Sequence, residues 1–272
     1  MREKTYPKEI LEITESLTLF DDELMSRVFD KNIEATELIL RIILGRNVHV
    51  ISAKCEDKLK NHAFDGRSVI LDIHAIEEDG RQIDIEVQSS SAGSSIRRVR
   101  FHSSMMDSRM LKKGQDFDEL KDSYVIFIYK SDKFGKGLPL YTIDRFVGET
   151  GDRVDDGSHI IYVNGTYKGD DEIGRLIQDF RQSDSKKMNY KQLSEGVEHF
   201  KNTKKGQNDM NEALERYAQQ RASEASRIAV ENKNKEIAYN LKNKGISIDQ
   251  IADIIGCQID IVKGWLTPSM AK

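Results

Sequence analysis

Two acidic residues, Asp72 and Glu86, stand in neighbouring segments that each alternate apolar and polar side chains. This period of two predicts strands over residues 69–76 and 82–88. A three-residue loop, Glu78-Asp79-Gly80, with the glycine in the left-handed conformation, brings both apolar rows to one face. The same loop puts Asp72 directly opposite Glu86.

Such a pair of carboxylates suits a divalent cation. Directly opposed side chains have Cβ atoms about 4.5–5.5 Å apart, and like charges at that distance repel. Mg²⁺ would remove the repulsion, since it prefers oxygen ligands and keeps waters that can meet a phosphate. The pattern alone also fits an ordinary amphipathic hairpin with an outward polar row. That row consists of Gln82, Asp84, Glu86 and Gln88. His74 shares the polar side of the hairpin, where a structural role is favoured over a general base.

A basic helix is predicted over residues 96–113, after a polar SSSAGSS loop. Its cations could contact phosphates of DNA, and the alternative is a solvated helix face. The cations predicted to bind DNA are Arg97, Arg98, Arg100, Lys112 and Lys113.

Other elements follow from capping residues and apolar runs. A helix is predicted from Asp21 or Asp22 to Phe29, and a second over 32–44 before Gly45. Residues 1–15 are expected to be a loosely ordered lead-in. Further strands are predicted over 48–53, 124–129, 140–146 and 159–163, a helix over 170–180, and helices joined at glycines over 190–240.

The C-terminal segment predicts two short amphipathic helices, over 247–255 and 258–266. Ile251, Ile254 and Ile255 are expected to pack on Ile259, Val262 and Trp265, as in a helix-turn-helix unit. Asp260 in the second helix would repel phosphate, which favours a packing or oligomerisation hairpin over DNA reading.

Composition sets limits on the class of protein. The chain has 272 residues, of which 38% are hydrophobic and 32% charged, with no apolar run of membrane-spanning length. The N-terminal MREKTYPKEI lacks a secretory apolar segment, and Cys55 and Cys257 show no metal-ligand spacing. We therefore expect a cytoplasmic protein without membrane association. The net charge of −4 means that DNA contact would need a local basic patch.

The pattern D…D-I-E-V-Q resembles the core of the PD-(D/E)XK nuclease superfamily. More closely, the chain resembles the Rpn-type recombination-promoting nuclease/transposase family. The stretches that carry the resemblance are LTLFDDELMSRVFDKNIEATELILRIILG, YVIFIYKSDKFGKGLPLYTIDRF, DGSHIIYVNGTYKGDDEIGRLIQDF and IAYNLKNKGISIDQIADIIGCQIDIVKGWL.

The resemblance implies site residues. Asp72 and Glu86 would bind Mg²⁺, with Mn²⁺ as the alternative ion, and Gln88 would stand where the superfamily has a lysine that positions water. Asp22 matches the acidic residue of the family's first helix and would complete the site. A helix cap is an equal alternative for Asp22, and Glu37 is its rival as the additional acid.

The resemblance also implies an α/β restriction-endonuclease-like fold, a mixed sheet flanked by helices with an α-helical C-terminal extension. We predict a nuclease-like core over 15–181, a charged helical extension over 182–240 and a helix-turn-helix-like tail over 241–268. The implied function is a metal-dependent DNA endonuclease linked to recombination or mobile elements. The alternatives are a catalytically weak or inactive fold that binds DNA or protein, and a homo-oligomeric scaffold.

Overall fold

A six-stranded mixed sheet lies at the centre of the protein, in a computed structural model that describes residues 6–61, 65–89 and 95–266. The strand order is β1-β2-β3-β4-β8-β5, with β3, β4 and β8 parallel and the other neighbours antiparallel. Strands β6 and β7 form a separate ribbon. The strands are β1 (Val50–Leu59), β2 (Val69–Glu77), β3 (Gln82–Gln88), β4 (Ser123–Tyr129), β5 (Leu140–Ile143), β6 (Arg145–Phe146), β7 (Arg153–Val154) and β8 (Ser158–Asn164). The predicted mixed sheet is confirmed.

Helices flank this sheet and form the C-terminal region, as predicted. Their bounds are α1 (Lys8–Ser16), α2 (Asp22–Phe29), α3 (Ile33–Leu44), α4 (Ile96–Met110), α5 (Glu172–Arg181), α6 (Lys191–Asn202), α7 (Lys204–Asn243), α8 (Ile248–Ile255) and α9 (Ile259–Leu266). Helix α4 packs on one face of the sheet, where Val99 and Met106 contact a core that includes Phe127 and Tyr129. Ile96, the first residue of this helix, is exposed. The polar loop predicted before α4 lies largely outside the described residues.

The β2–β3 hairpin has the predicted turn. Gly80 has a φ of 91°, and the Glu77 N–H donates to the Arg81 carbonyl at 2.9 Å across the three-residue loop. The pairing that follows runs from Ile76 opposite Gln82 to Ile73 opposite Ile85. This register is the one that carries Asp72 and Glu86 towards each other.

Two expectations about the helices outside the sheet are wrong. Residues from Lys8 onward form α1, where Thr14 Oγ1 donates to Asn211 Oδ1 at 2.8 Å, so most of the predicted lead-in is ordered.

Glycines do not separate the later helices, because Gly196 lies inside α6 and Gly206 inside α7. A Cβ on Gly196 would come 2.8 Å from Val28 Cγ1, and one on Gly206 would come 2.0 Å from the His199 carbonyl oxygen. Both glycines therefore allow close approach of another segment.

The chain divides into two compact units, residues 1–212 and 213–272. In the second unit, the end of α7 and helices α8 and α9 share a small core that includes Ala238, Ile251 and Val262. Ser247 caps α8 through a reciprocal pairing with Gln250. The predicted packing is only partly correct, since Ile254 and Ile259 are exposed. The three-part division by composition stays a prediction, and its last two residues lie outside the described part of the chain.

Candidate functional site

Asp72 and Glu86 are joined through the main chain at the place where β2 and β3 stop pairing. The Asp72 N–H donates to Glu86 Oε1 at 3.2 Å, and the Val87 N–H donates to Asp72 Oδ2 at 3.0 Å. These side-chain contacts continue the two strands beyond the last paired residues, Ile73 and Ile85. Each carboxylate is thus fixed by a peptide group of the opposite strand.

The two acids on the polar face of β3 are buried, so the alternative of an outward polar row does not describe this strand. Asp84 and Glu86 have no exposed surface, and Asp72 is half-buried. The reason is the position of β3 between β2 and β4, with α4 packed over this face. The alternation of side chains described the strand correctly but could not reveal the helix that covers it.

Burial gives these carboxylates unusual acidities. Burial raises the pKa of Asp72 to about 7, with a further contribution from the charge of Glu86. Burial raises the pKa of Glu86 to about 8, helped by the charge of Asp84, and raises that of Asp84 well above its ordinary value. Near neutral pH the metal-free carboxyls therefore tend to keep protons, and a divalent cation that replaced those protons would stabilise their ionised forms, which is the electrostatic setting of a cation site.

A hydrogen-bonded chain links two of these carboxylates through α4. Arg98 Nη2 donates to Glu86 Oε2 at 2.5 Å, and Arg98 Nε donates to His102 Nε2 at 3.3 Å. Because His102 Nε2 accepts, the proton of the neutral ring lies on Nδ1, which donates to Asp84 Oδ2 at 2.8 Å. Burial lowers the pKa of His102, in keeping with a neutral ring.

Sequence reasoning did not single out His102. The residue lies three positions after Val99 and four before Met106, so it belongs to the buried stripe of α4. A histidine within an apolar stripe was the signal that could have found it.

The donor atoms present fit a divalent cation. Asp84, Glu86 and His102 offer ligand atoms that all lie within 4.8 Å of one another. Asp84 Oδ1 is buried, and no hydrogen bond to it is found among the described residues. A second donor set, Asp72 with Glu86, offers only carboxylate oxygens, which Mg²⁺ prefers. Glu86 belongs to both sets.

The remaining predicted acids and Gln88 have distinct surroundings. Gln88 is half-buried at the end of β3, on the Glu86 face. Asp22 begins α2, and its charge contributes to the raised pKa of Asp72, so the two carboxylates are within electrostatic range. Glu37 Oε1 accepts a hydrogen bond from the Val50 N–H at 2.8 Å, which ties this rival acid to the start of β1. His74 contacts Asp57 and Gln82.

The predicted basic residues separate along α4. Arg98 reaches Glu86, whereas Arg97 and Arg100 are exposed. The helix ends at Met110, before the exposed Lys112 and Lys113. Its 15 residues span about 22 Å, so the two lysines follow the end of α4 that is remote from Arg97 and Arg98. The structure does not gather all five cations at one place.

Comparison with known proteins decides the family. A family model described as PD-(D/E)XK nuclease family transposase matches residues 30–254. The chain belongs to this family. The matched part of this PD-(D/E)XK protein includes the β2–β3 hairpin and α4 but begins after Asp22. Searches of curated proteins and of solved structures found no match.

The fold and the family agree with each other. The mixed sheet flanked by helices agrees with a PD-(D/E)XK nuclease fold, and nucleases of this kind hydrolyse phosphodiesters, typically with divalent metal ions. No helix within residues 6–61, 65–89 and 95–266 has both the length and the apolarity needed to cross a membrane.

Proposed function

We propose that this protein is a Mg²⁺-dependent DNA endonuclease of the Rpn type, with Mn²⁺ as an alternative ion, that acts in recombination or mobile-element movement. The observation that carries the proposal is the pair of half-buried Asp72 and buried Glu86, each held by a main-chain N–H of the other's strand in the hairpin of a PD-(D/E)XK family member. The predicted cytoplasmic location and homo-oligomer remain predictions.

Asp72 and Glu86 are the proposed metal ligands. When bound, the ion acts as a Lewis acid on the phosphate and lowers the pKa of a coordinated water. Burial removes solvent from Glu86 and partly from Asp72, so a cation that replaces their protons would interact with the two carboxylates more strongly than with a surface pair. Asp84 and His102 help to hold Arg98 against Glu86, because Asp84 accepts a hydrogen bond from His102 and His102 accepts one from Arg98.

Gln88 is the proposed water-positioning residue. Its amide is on the Glu86 face of β3 and has both donor and acceptor atoms, but it carries no charge and cannot take a proton. Proton removal from the attacking water therefore does not depend on Gln88. The residue orients the water for in-line attack, which contributes through geometry.

Asp22 is the proposed additional acid, since its charge acts on Asp72 while Glu37 already accepts a main-chain hydrogen bond. The proposed DNA contacts differ in distance from the metal ligands. Arg98 contacts Glu86 and Arg97 precedes it in the first turn of α4, whereas Arg100, Lys112 and Lys113 would meet phosphates further along the strand.

A catalytically weak or inactive fold that binds DNA or protein is the second candidate function. The neutral Gln88 favours it, and so does Arg98, whose guanidinium already neutralises Glu86. Such a module would keep its function when Asp72→Asn or Glu86→Gln removes a carboxylate.

Plasmid nicking separates the two candidates. Supercoiled DNA would be incubated with Mg²⁺ or Mn²⁺ and the wild type, Glu86→Gln or Glu78→Gln. Glu78 is an exposed residue of the same hairpin, so Glu78→Gln is a matched control for the loss of one carboxylate. We expect nicking by the wild type and the control, and none by Glu86→Gln or with EDTA. Intact plasmid in every reaction, or equal nicking by Glu86→Gln, would contradict the proposal.

A further inference from the structure

A cavity of about 650 Å³ adjoins the candidate metal site and is lined by three arginines. Arg67 lies two residues before β2, and Arg97 and Arg98 belong to the first turn of α4. We call it the arginine cavity; its other described lining residues are Ser68, Val69, Ile70, Ser95, Phe101 and His102. Arg67 was not singled out by sequence analysis, although its charge acts on His102. Three cations around a concave space suit a phosphate group.

Among the three arginines of the arginine cavity, Arg98 is the one that contacts a carboxylate of the cluster. Its side chain is 34% exposed, whereas the Glu86 side chain that it contacts is fully buried. Arg97, the preceding residue, is exposed and is found in no hydrogen bond or ion pair with the described residues. A guanidinium at this boundary can face either the buried carboxylate or the cavity by rotation of its own side chain.

A divalent ion and Arg98 would compete for Glu86. Arg98 Nη2 lies 2.5 Å from Glu86 Oε2, and Mg²⁺ or Mn²⁺ bound to either oxygen of that carboxylate would be only a few ångströms from the guanidinium. Two cations so close in a partly desolvated site repel each other. The arginine cavity is open to solvent, so the displaced guanidinium can be hydrated there or bind an anion.

We infer that Arg98 is a stand-in cation that holds Glu86 until a divalent ion binds, and then turns into the arginine cavity, where with Arg67 and Arg97 it binds a phosphate of the nucleic acid strand. The inference rests on the proposed nuclease function, because that function defines the ion and the substrate. It makes Arg98 a positioning residue that couples metal binding to strand binding. Such coupling is reciprocal, so each ligand strengthens the other.

The first test measures metal affinity without DNA. Mn²⁺ would be titrated into metal-free protein, with free Mn²⁺ followed by electron paramagnetic resonance, for the wild type, Arg98→Met, Arg98→Gln, Arg98→Lys and Arg97→Met. Losing the competitor should lower the Mn²⁺ dissociation constant of Arg98→Met and Arg98→Gln at least about fivefold. Arg98→Lys keeps the charge and should stay near the wild type. Arg97→Met removes the same charge without touching Glu86, so it corrects for the general loss of a cation.

The second test measures the coupling itself, in the wild type as well as in the variants. A fluorescent DNA duplex would be titrated by anisotropy with and without Ca²⁺, with gels to verify that the duplex stays intact. We expect Ca²⁺ to tighten duplex binding at least about fivefold in the wild type and hardly at all in Arg98→Gln. Arg67→Gln should weaken duplex binding while leaving the Mn²⁺ affinity within about twofold of the wild type.

The outcomes separate this inference from the proposed function. Tighter Mn²⁺ binding by the uncharged Arg98 variants than by Arg97→Met supports it, whether or not plasmid is nicked. Equal or weaker Mn²⁺ binding overturns it, even if plasmid is nicked. The inference is also overturned if Ca²⁺ fails to tighten duplex binding by the wild type, a result that does not depend on any variant folding.

Discussion

His102 Nδ1 lies 2.8 Å from Asp84 Oδ2, and both side chains are buried between α4 and β3. The pair connects the helix to the central strand of the sheet at the level of Glu86. Without His102, the buried carboxyl of Asp84 would lose a hydrogen-bond partner.

Replacing His102 should therefore destabilise the fold. We expect His102→Ala to lower the free energy of unfolding by about 2–4 kcal/mol, because it leaves a cavity and removes the hydrogen bond to Asp84. Urea denaturation followed by circular dichroism measures the change. Ser104→Ala, at an exposed position of the same helix, should shift the free energy by less than about 0.5 kcal/mol. Equal effects of the two substitutions would contradict the role given to the pair.

The acidity of Asp72 predicts a pH-dependent stability in metal-free protein. Burial and the charge of Glu86 raise its pKa from 3.8 to about 7, so between those values the folded chain keeps a proton that the unfolded chain has lost. The free energy of unfolding must then fall as the pH rises through this window. Asp72→Asn stays neutral and can still accept from the Val87 N–H.

We accordingly expect Asp72→Asn to be more stable than the wild type at pH 8 in EDTA, by about 2 kcal/mol more than at pH 5. Thermal or urea unfolding at both pH values measures the difference. A gap between variant and wild type that does not change with pH would show that Asp72 is ionised throughout this range.

Added Mg²⁺ should reverse the cost of that buried charge. A ligand that binds only the folded state stabilises it in proportion to the logarithm of its concentration. We expect millimolar Mg²⁺ to raise the melting temperature of the wild type and of Glu78→Gln by a few degrees, and to leave Glu86→Gln unchanged in differential scanning fluorimetry. The same rise in all three proteins would mean that the ion binds elsewhere.

Lys201 supports a separate prediction about the fold. Its buried ammonium donates to the carbonyl oxygens of Glu15, Leu17 and Ser183 at 2.8, 2.5 and 2.8 Å. Lys201→Met would leave these acceptors without their donor and should cost about 2–4 kcal/mol in urea unfolding. Lys191→Met, on the exposed side of the same helix, should cost less than about 0.5 kcal/mol. Comparable losses would show that the three carbonyl groups find other partners.

Local chemistry explains what the sequence could predict. The turn Glu78-Asp79-Gly80 sets the register of the hairpin within a few residues, and register alone brings Asp72 to Glu86. The bounds of α2 and β3 agree with the prediction for a similar reason, since helix capping and the alternation of side chains along a strand both depend on residues close together in the sequence.

The features that the sequence could not predict depend on contacts between distant parts of the chain. The burial of Asp84 depends on α4 and β4, which follow it by many residues. Gly196 was taken for a break between helices, but its use is a close approach to Val28 across a large separation in sequence. The link from Arg98 to Glu86 likewise requires the helix and the strand to be packed before it can be seen.

The Val87 N–H that holds Asp72 belongs to the peptide backbone, and this has an evolutionary consequence. Nineteen of the twenty residue types provide that donor, and only proline lacks it. The side chain at position 87 can therefore be replaced together with its core neighbours while the main-chain N–H still holds the Asp72 carboxylate. A lineage of such proteins could exchange its core residues, and even its substrate preference, around a pair of acids that remain in register.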